Sequence, residues 1–395
     1  MSGYPWRGLH RALTLALAPV VALGFTRFAY ALLLPGMQDS LQWNLAQAGA
    51  LNTANGAGFL LGAMTASRLA ARWGTARVFA ATLALSSLAL LLSAWLDAWL
   101  AFLLVRGIGG AATACAFVLG SALAPLTMPQ RPAVGMAVYF AGTGLGMVVA
   151  GATYGSDWFA GSEQPWRLGW TLMGGAGVIA AAISARVAFQ LPSVERGCSG
   201  RTGAPLLRDA IAPTLVANSL YGAGYVGYTT FVIALLAQRG YGVSAATLVF
   251  CAIGAASMLA SPAWGRWLQT QPGGRGFAVV SALLSAGLMP VLLSDHLLAV
   301  ATSALLFGGV FMAGPAAVSV VAQRELGAAD AARGLGALTA AFSLGQSIGP
   351  VLAGALADAT GRLESGLWLG PVLLLAGAAI ASAQRGGRWD PRAKM

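Results

Sequence analysis

Twelve long apolar runs dominate the 395-residue chain, and they decide what it can become. Each is rich in Ala, Leu, Val and Gly and reaches about 20 residues, the length a helix needs to cross the ~30 Å hydrocarbon layer. In lipid only helices and closed barrels satisfy their own backbone groups. Barrel strands would alternate polar and apolar residues over ~10-residue segments. These runs are continuous, so the spans are helices. Charged residues make up 9% of the chain, against about 25% in a soluble domain. The 53 glycines fit close helix packing in lipid rather than disorder.

The runs place spans at about 11–36, 45–67, 76–95, 98–125, 133–156, 167–190, 209–238, 243–266, 276–294, 296–323, 332–357 and 365–384. The longest polar stretch, 191–208, separates an N-terminal six-helix bundle (1–190) from a C-terminal one (209–395), and is expected to be a cytoplasmic linker. The first run is too long for a signal peptide and lacks a small-residue cleavage site. Cys115, Cys198 and Cys251 lie far apart, with no metal spacing and no disulfide framework, and are read as packing residues.

The net charge is +11. On a soluble protein it would suggest nucleic acid. Here the basic residues sit in short connections, where the positive-inside effect accounts for them. Of the 23, Arg167, Arg239 and Arg362 fall on one side, Arg27 and Arg106 fall inside spans, and the other 18 fall on the side of the termini. Both termini are therefore expected in the cytoplasm, in a multi-pass protein of the cell inner membrane.

The two bundles repeat. Gly24-Phe25 aligns with Gly224-Tyr225, and Gly142, Gly146 and Gly151 align with Gly345, Gly349 and Gly354 at one common shift of 203. Each half holds an even number of spans, so the halves are parallel and related by an axis along the membrane normal. That symmetry belongs to transporters with a site between the halves.

Six plus six helices, a central linker and parallel halves resemble the major facilitator superfamily along the whole chain. Arg106-Gly107-Ile108-Gly109-Gly110 resembles its span-four motif. Ser67 to Arg77 resembles its loop between spans two and three, with Ser67 for the usual glycine and Ala71 for the usual aspartate. The gating ion pair made by that aspartate is not expected. Gly24-Phe25-Thr26-Arg27-Phe28-Ala29-Tyr30, with Pro35-Gly36-Met37 after it, looks like the YbfB/YjiJ-type branch. The resemblance implies the major facilitator fold, an all-α membrane protein with twelve transmembrane helices in two pseudo-symmetric bundles. It also implies alternating access. Arg68, Arg72, Gly74 and Arg77 of the loop are candidate gating residues. So are Gly146 in span five and Gly349 and Pro350 in span eleven.

Arg27 and Arg106 carry the candidate chemistry. An arginine at membrane depth costs at least ~2.5–3.5 kcal/mol on insertion scales, so it should face protein, water or an anion. Depth counting puts both in the outer half of their spans, and an anion would relieve their mutual repulsion. The planar guanidinium fork suits a carboxylate. The bland alternative is a structural arginine bonded to backbone carbonyls. Span seven carries Asn218, Tyr221, Tyr225 and Tyr228 within one face roughly 80° wide at 100° per residue, a candidate polar wall. Tyr30, Asn52, Asn55, Tyr139 and Gln346 are further polar groups at depth; such a group alone more often joins two helices than holds a ligand.

All twelve acidic residues fall in connections or near span ends, and both histidines at edges. Coupling through a mid-membrane carboxylate is not expected. Nor is an enzyme, which would need a catalytic constellation at depth. No cofactor or metal is expected. The sequence reads as a monomeric transporter for a small organic anion, a carboxylate above all. Efflux of amphipathic drug-like compounds and a non-transporting sensor are the alternatives.

Overall fold

The computed structural model describes residues 5–156, 159, 162–192, 204–384 and 386. The spans are α1 (Trp6–Leu41), α2 (Leu45–Trp73), α3 (Thr75–Ser93), α4 (Trp99–Thr127), α5 (Pro132–Tyr154) and α6 (Pro165–Ala188). The second half holds α7 (Ala204–Gln238), α8 (Val243–Leu268), α9 (Arg275–Leu293), α10 (Leu297–Leu326), α11 (Gly334–Thr360) and α12 (Leu363–Ser382).

Eleven of these carry a stretch long and apolar enough to cross a membrane. The exception is α2, which holds Gln47, Asn52, Thr53 and Asn55. Those polar groups lie where α2 meets other helices rather than lipid. The expected boundaries shift in two places. Residues 67–73, read as a loop, continue α2, and the chain turns at Gly74 with φ +88°. A left-handed backbone of that kind favours glycine. At the other place α7 begins at Ala204, inside the expected linker, of which 193–203 lie outside the described residues.

Helix directions are set by the contacts of α7. Tyr221 donates to the Phe311 carbonyl and Tyr228 pairs with Ser303, so α10 runs antiparallel to α7. Asn218 donates to Leu338 and Gly349 packs on Ala223, so α11 runs parallel to it. The chain therefore turns back between α10 and α11.

Glycines set how closely the helices approach. Gly142 and Gly146 seat α5 on α1, where a Cβ on Gly24 would lie 2.6 Å from Gly146 Cα. Gly345 and Gly349 seat α11 on α7, against the carbonyls of Ser219 and Ala223. The third glycine of each set does something else. Gly151 faces Cys251 of α8, and Gly354 faces the Leu45 carbonyl of α2, so both meet the opposite half. Two contacts of each set thus build a half, and the last joins the halves.

Other bonds between the halves lie on the same side, away from the termini. Asn52 donates to Thr230 at 2.6 Å. The Asp358 carboxylate accepts the backbone N–H groups of Leu45 at 3.1 Å and Ala46 at 2.7 Å. Asn44 and Gln47 cap the same helix start reciprocally. A carboxylate there also meets the positive end of the α2 dipole, worth about 0.3–1 kcal/mol at an exposed site. Burial of α2 shows the same polarity, high over 48–59 and low over 61–73.

The glycine pattern separates two effects. Gly345→Val should destabilise the C-terminal half by overpacking, by about 1–3 kcal/mol, read as a lower Tm in detergent. Gly354→Val should wedge the halves apart on the side of Asp358. On a Cys198→Ser background, maleimide labelling of Cys251, whose thiol meets the Val148 carbonyl across the junction, should rise while that of buried Cys115 stays low.

Candidate functional site

The site starts from a local departure in α1. Residues Val20–Phe28 form a π-helical stretch of nine residues, with wide turns closed five residues apart. The Ala29 N–H reaches the Gly24 carbonyl and the Thr26 hydroxyl reaches the Val21 carbonyl, both at 2.9 Å. The next turn tightens, with Leu32 N–H on the Ala29 carbonyl three residues back. Such wide turns are rare and occur frequently at functional sites. Here the stretch contains the whole Gly24–Phe28 segment.

Arg27 leaves that stretch toward the other half. It is buried, with 6% of its surface exposed. Its Nη2 donates to the Tyr225 hydroxyl of α7 at 3.0 Å and to Gln346 Oε1 of α11. The guanidinium carbon lies 5.5 Å from the ring centre of Phe59 and 5.8 Å from that of Phe28. All these partners are neutral, and Arg27 forms no ion pair among the described residues. A buried charge without a counter-charge is expensive.

Arg106 has a different setting. Its Nη1 donates to the Thr26 carbonyl at 2.6 Å, where the register of α1 changes. Its guanidinium lies 5.0 Å from the Tyr30 ring and 5.6 Å from the Trp170 ring. These partners all belong to the N-terminal half. Thr26 continues inward through Ser86 at 3.0 Å to Thr113, a hydroxyl chain linking α1, α3 and α4. Nε and Nη2 of Arg106 have no hydrogen-bond partner, and the space beside them is too narrow for water. Arg106 reaches α1 from α4 at the residue before Arg27, yet among the described residues the two guanidiniums share no hydrogen-bond or ring partner.

The remaining candidates divide in the same way. Tyr225 and Gln346 join Arg27 at the junction. Tyr30 donates to the Ala48 carbonyl at 2.8 Å, Asn55 to the Arg106 carbonyl at 3.3 Å and Tyr139 to the Phe117 carbonyl at 3.0 Å, all inside the N-terminal half. Asn218, Tyr221 and Tyr228 bond inside the C-terminal half. The stripe on α7 therefore splits, and only Tyr225 reaches across.

The gating candidates also separate. Arg68, Arg72 and Arg77 are exposed and make no ion pair among the described residues; Arg72 lies 5.5 Å from the ring centre of Trp73. Gly74 and Arg77 line a cavity of about 370 Å³ with Trp73, Leu123, Phe189 and Pro192, between the N-terminal half and the start of the linker. Gly146 and Gly349 lie inside their own halves, whereas the Pro350 carbonyl meets Gly49 across the junction.

Sequence reasoning placed Phe28 and Tyr225 near Arg27 but did not find Phe59, Phe311 and Phe342, or the partner of Asn52. Tyr225 stacks on Phe311 at 6.1 Å and on Phe342 at 5.7 Å, and Phe28 meets Phe311 edge-on at 5.7 Å. Phenylalanines in spans carry no signal against ordinary packing. Thr230, two residues beyond Tyr228, was hidden by the same rule. Together the junction offers one guanidinium, an amide, a phenol and ring faces, a setting suited to an anionic group on an apolar body.

Comparisons with known proteins agree with this architecture. A family profile described as the uncharacterised MFS-type transporter YbfB matches residues 19–382. No curated protein matches the chain in sequence. Among solved structures, the D-xylose-proton symporter shares the fold with TM-score 0.76 and 13% identity, over 96% of this chain and 100% of that one. A bacterial homologue of the human lysosomal transporter Spinster, inward-facing and occupied, gives 0.72 and 17%, over 99% and 100%. The nucleoside transporter NupG gives 0.64 and 15%, over 94% and 96%. The chain belongs to the major facilitator superfamily, in its YbfB-type family, and is a multi-pass membrane transporter that works by alternating access rather than an enzyme.

Proposed function

We propose that the protein carries a small organic anion, a mono- or dicarboxylate, across the inner membrane, with both termini in the cytoplasm. The observation that supports this reading is Arg27: a buried guanidinium at the junction of the halves, with neutral partners only. A carboxylate would supply the missing charge and compete with Tyr225 and Gln346 for the same donors. In that orientation the packed side of the junction is the periplasmic one. The exposure of α2 over 61–73 then fits a molecule open to the cytoplasm.

Arg106 takes a separate part. It ties α4 to the π-helical stretch of α1 and so holds Arg27 in place, and it does not grip the substrate. The loop lacking an aspartate and the absence of a mid-span acid from the sequence favour exchange, uniport or proton entry together with the substrate. The protein works as a monomer in this reading, with lipid and substrate as its partners.

A thermal-shift screen of the purified protein against organic anions, cations and neutral amphiphiles, and then flux into liposomes, tests the reading. Carboxylates should raise the Tm of the wild type. Arg27→Gln should abolish that rise and weaken binding about tenfold or more, the equivalent of ~1.4 kcal/mol. Stabilisation by neutral amphiphiles alone, unchanged in Arg27→Gln, would replace the anion reading with drug efflux.

Arg106→Gln should behave differently. It leaves the Thr26 carbonyl without its side-chain donor, so stability should fall by the cost of a hydrogen bond to a charged group, about 1.5–3 kcal/mol, read as a lower basal Tm. Ligand-induced stabilisation should survive in part. A variant with normal Tm and no anion response would instead make Arg106 a substrate contact.

A further inference from the structure

We infer that the anion is a monocarboxylate with a flat apolar body, such as an aromatic acid, and that dicarboxylates are poor substrates; this deepens the reading of Arg27 as the anion grip.

Charge balance comes first. Among the described residues, Arg27 is the one guanidinium that hydrogen-bonds across this junction. Arg106 spends Nη1 on the Thr26 carbonyl and lies against Tyr30 and Trp170. Tyr225 and Gln346, which bond Arg27, and Asn52 and Thr230, which bond each other across the junction, are neutral, and the Asp358 carboxylate is spent on the backbone N–H groups of Leu45 and Ala46. One carboxylate balances Arg27, and the space beside the unpartnered Nε and Nη2 of Arg106 is too narrow to admit a second. A second would remain unpaired where water is excluded, and an unpaired buried charge is the costliest group to hold.

Donor placement points to the same head group. Gln346 gives its Oε1 to Arg27, while its Nε2 is buried and has no partner. The Tyr225 oxygen accepts from Arg27, which leaves its own O–H free to donate. A guanidinium, an amide N–H and a phenol O–H thus converge on one locus. Two carboxylate oxygens can accept from all three.

The body of the substrate is read from the rings. Tyr225 belongs to a column of near-parallel rings: 19° to Phe342, 28° to Phe311, and 13° between Phe311 and Phe307. Phe307 and Phe311 are buried, whereas Phe342 is only half-buried and forms the accessible end of the column. Phe28 and Phe59 cover Arg27 from the N-terminal half. A flat ring gains from offset stacking here, whereas the hydroxyls of a sugar acid would find few partners.

The test compares benzoate, acetate and succinate on the full-length protein by thermal shift and by flux into liposomes, with benzamide as the neutral control. Benzoate should bind at least about tenfold more tightly than either succinate or acetate, and benzamide should bind weakly. Phe342→Ala should reduce the benzoate preference over acetate, and Phe342→Leu, which keeps an apolar side chain, should do the same if Phe342→Ala fails to fold. Succinate binding as well as benzoate would overturn the single-charge argument while leaving the anion reading intact. Equal binding of acetate and benzoate, or a benzoate preference unmoved by both Phe342 variants, would overturn the ring argument. No response to any of the three acids would sink the anion reading itself.

Discussion

A single charge buried between two bundles is the constraint on which the arrangement depends. Arg27 is carried by the first half, yet its hydrogen-bond partners are in the second. Placing it there requires α1 to present the side chain at the right height and angle. The π-helical stretch does this, and it is held from both flanks. Gly24 against Gly146 lets α5 approach to backbone contact, and Arg106 clasps the Thr26 carbonyl from α4. The hydroxyls of Thr26, Ser86 and Thr113 complete the support inside the bundle. The result is an N-terminal half that presents one cation to the other half.

Much of this was legible in the sequence, and the reason is periodic. Spans register as runs, and a repeat registers as a shift. Gly142, Gly146 and Gly151 and their counterparts 203 positions on share their pattern of contacts, two inside the half and one across. Backbone contact in lipid needs small residues wherever helices touch, so glycines mark those places even in a single sequence. Arg27, Tyr225 and Gln346 were all recognised as polar groups at depth.

Azimuth stayed hidden. Depth along a span comes from counting residues, but the neighbour a side chain faces does not. Arg27 and Arg106 match in depth and differ in surroundings. Counting 100° per residue also fails through a π-helical stretch, because each wide turn rotates the residues beyond it. On α7, Tyr221 and Tyr228 hydrogen-bond to α10, while the Tyr225 hydroxyl, between them, meets Arg27 of α1 and its ring lies against Phe311 of α10 and Phe342 of α11. An 80° face is narrow enough to look like one surface and wide enough to serve two. The polar α2 shows the converse, a span whose composition is set by protein neighbours and not by lipid.

The contact made by Asp358 has an evolutionary consequence. Its partners on the facing half are backbone N–H groups of Leu45 and Ala46, which every non-proline residue provides. That clasp therefore needs no matched pair of side chains, and drift at positions 45 and 46 leaves its donors in place. How firmly this side of the protein shuts can be adjusted at one codon, without a compensating change in the other half. Homologues working at different transport rates could thus diverge at this acid alone, with the rest of the junction held constant.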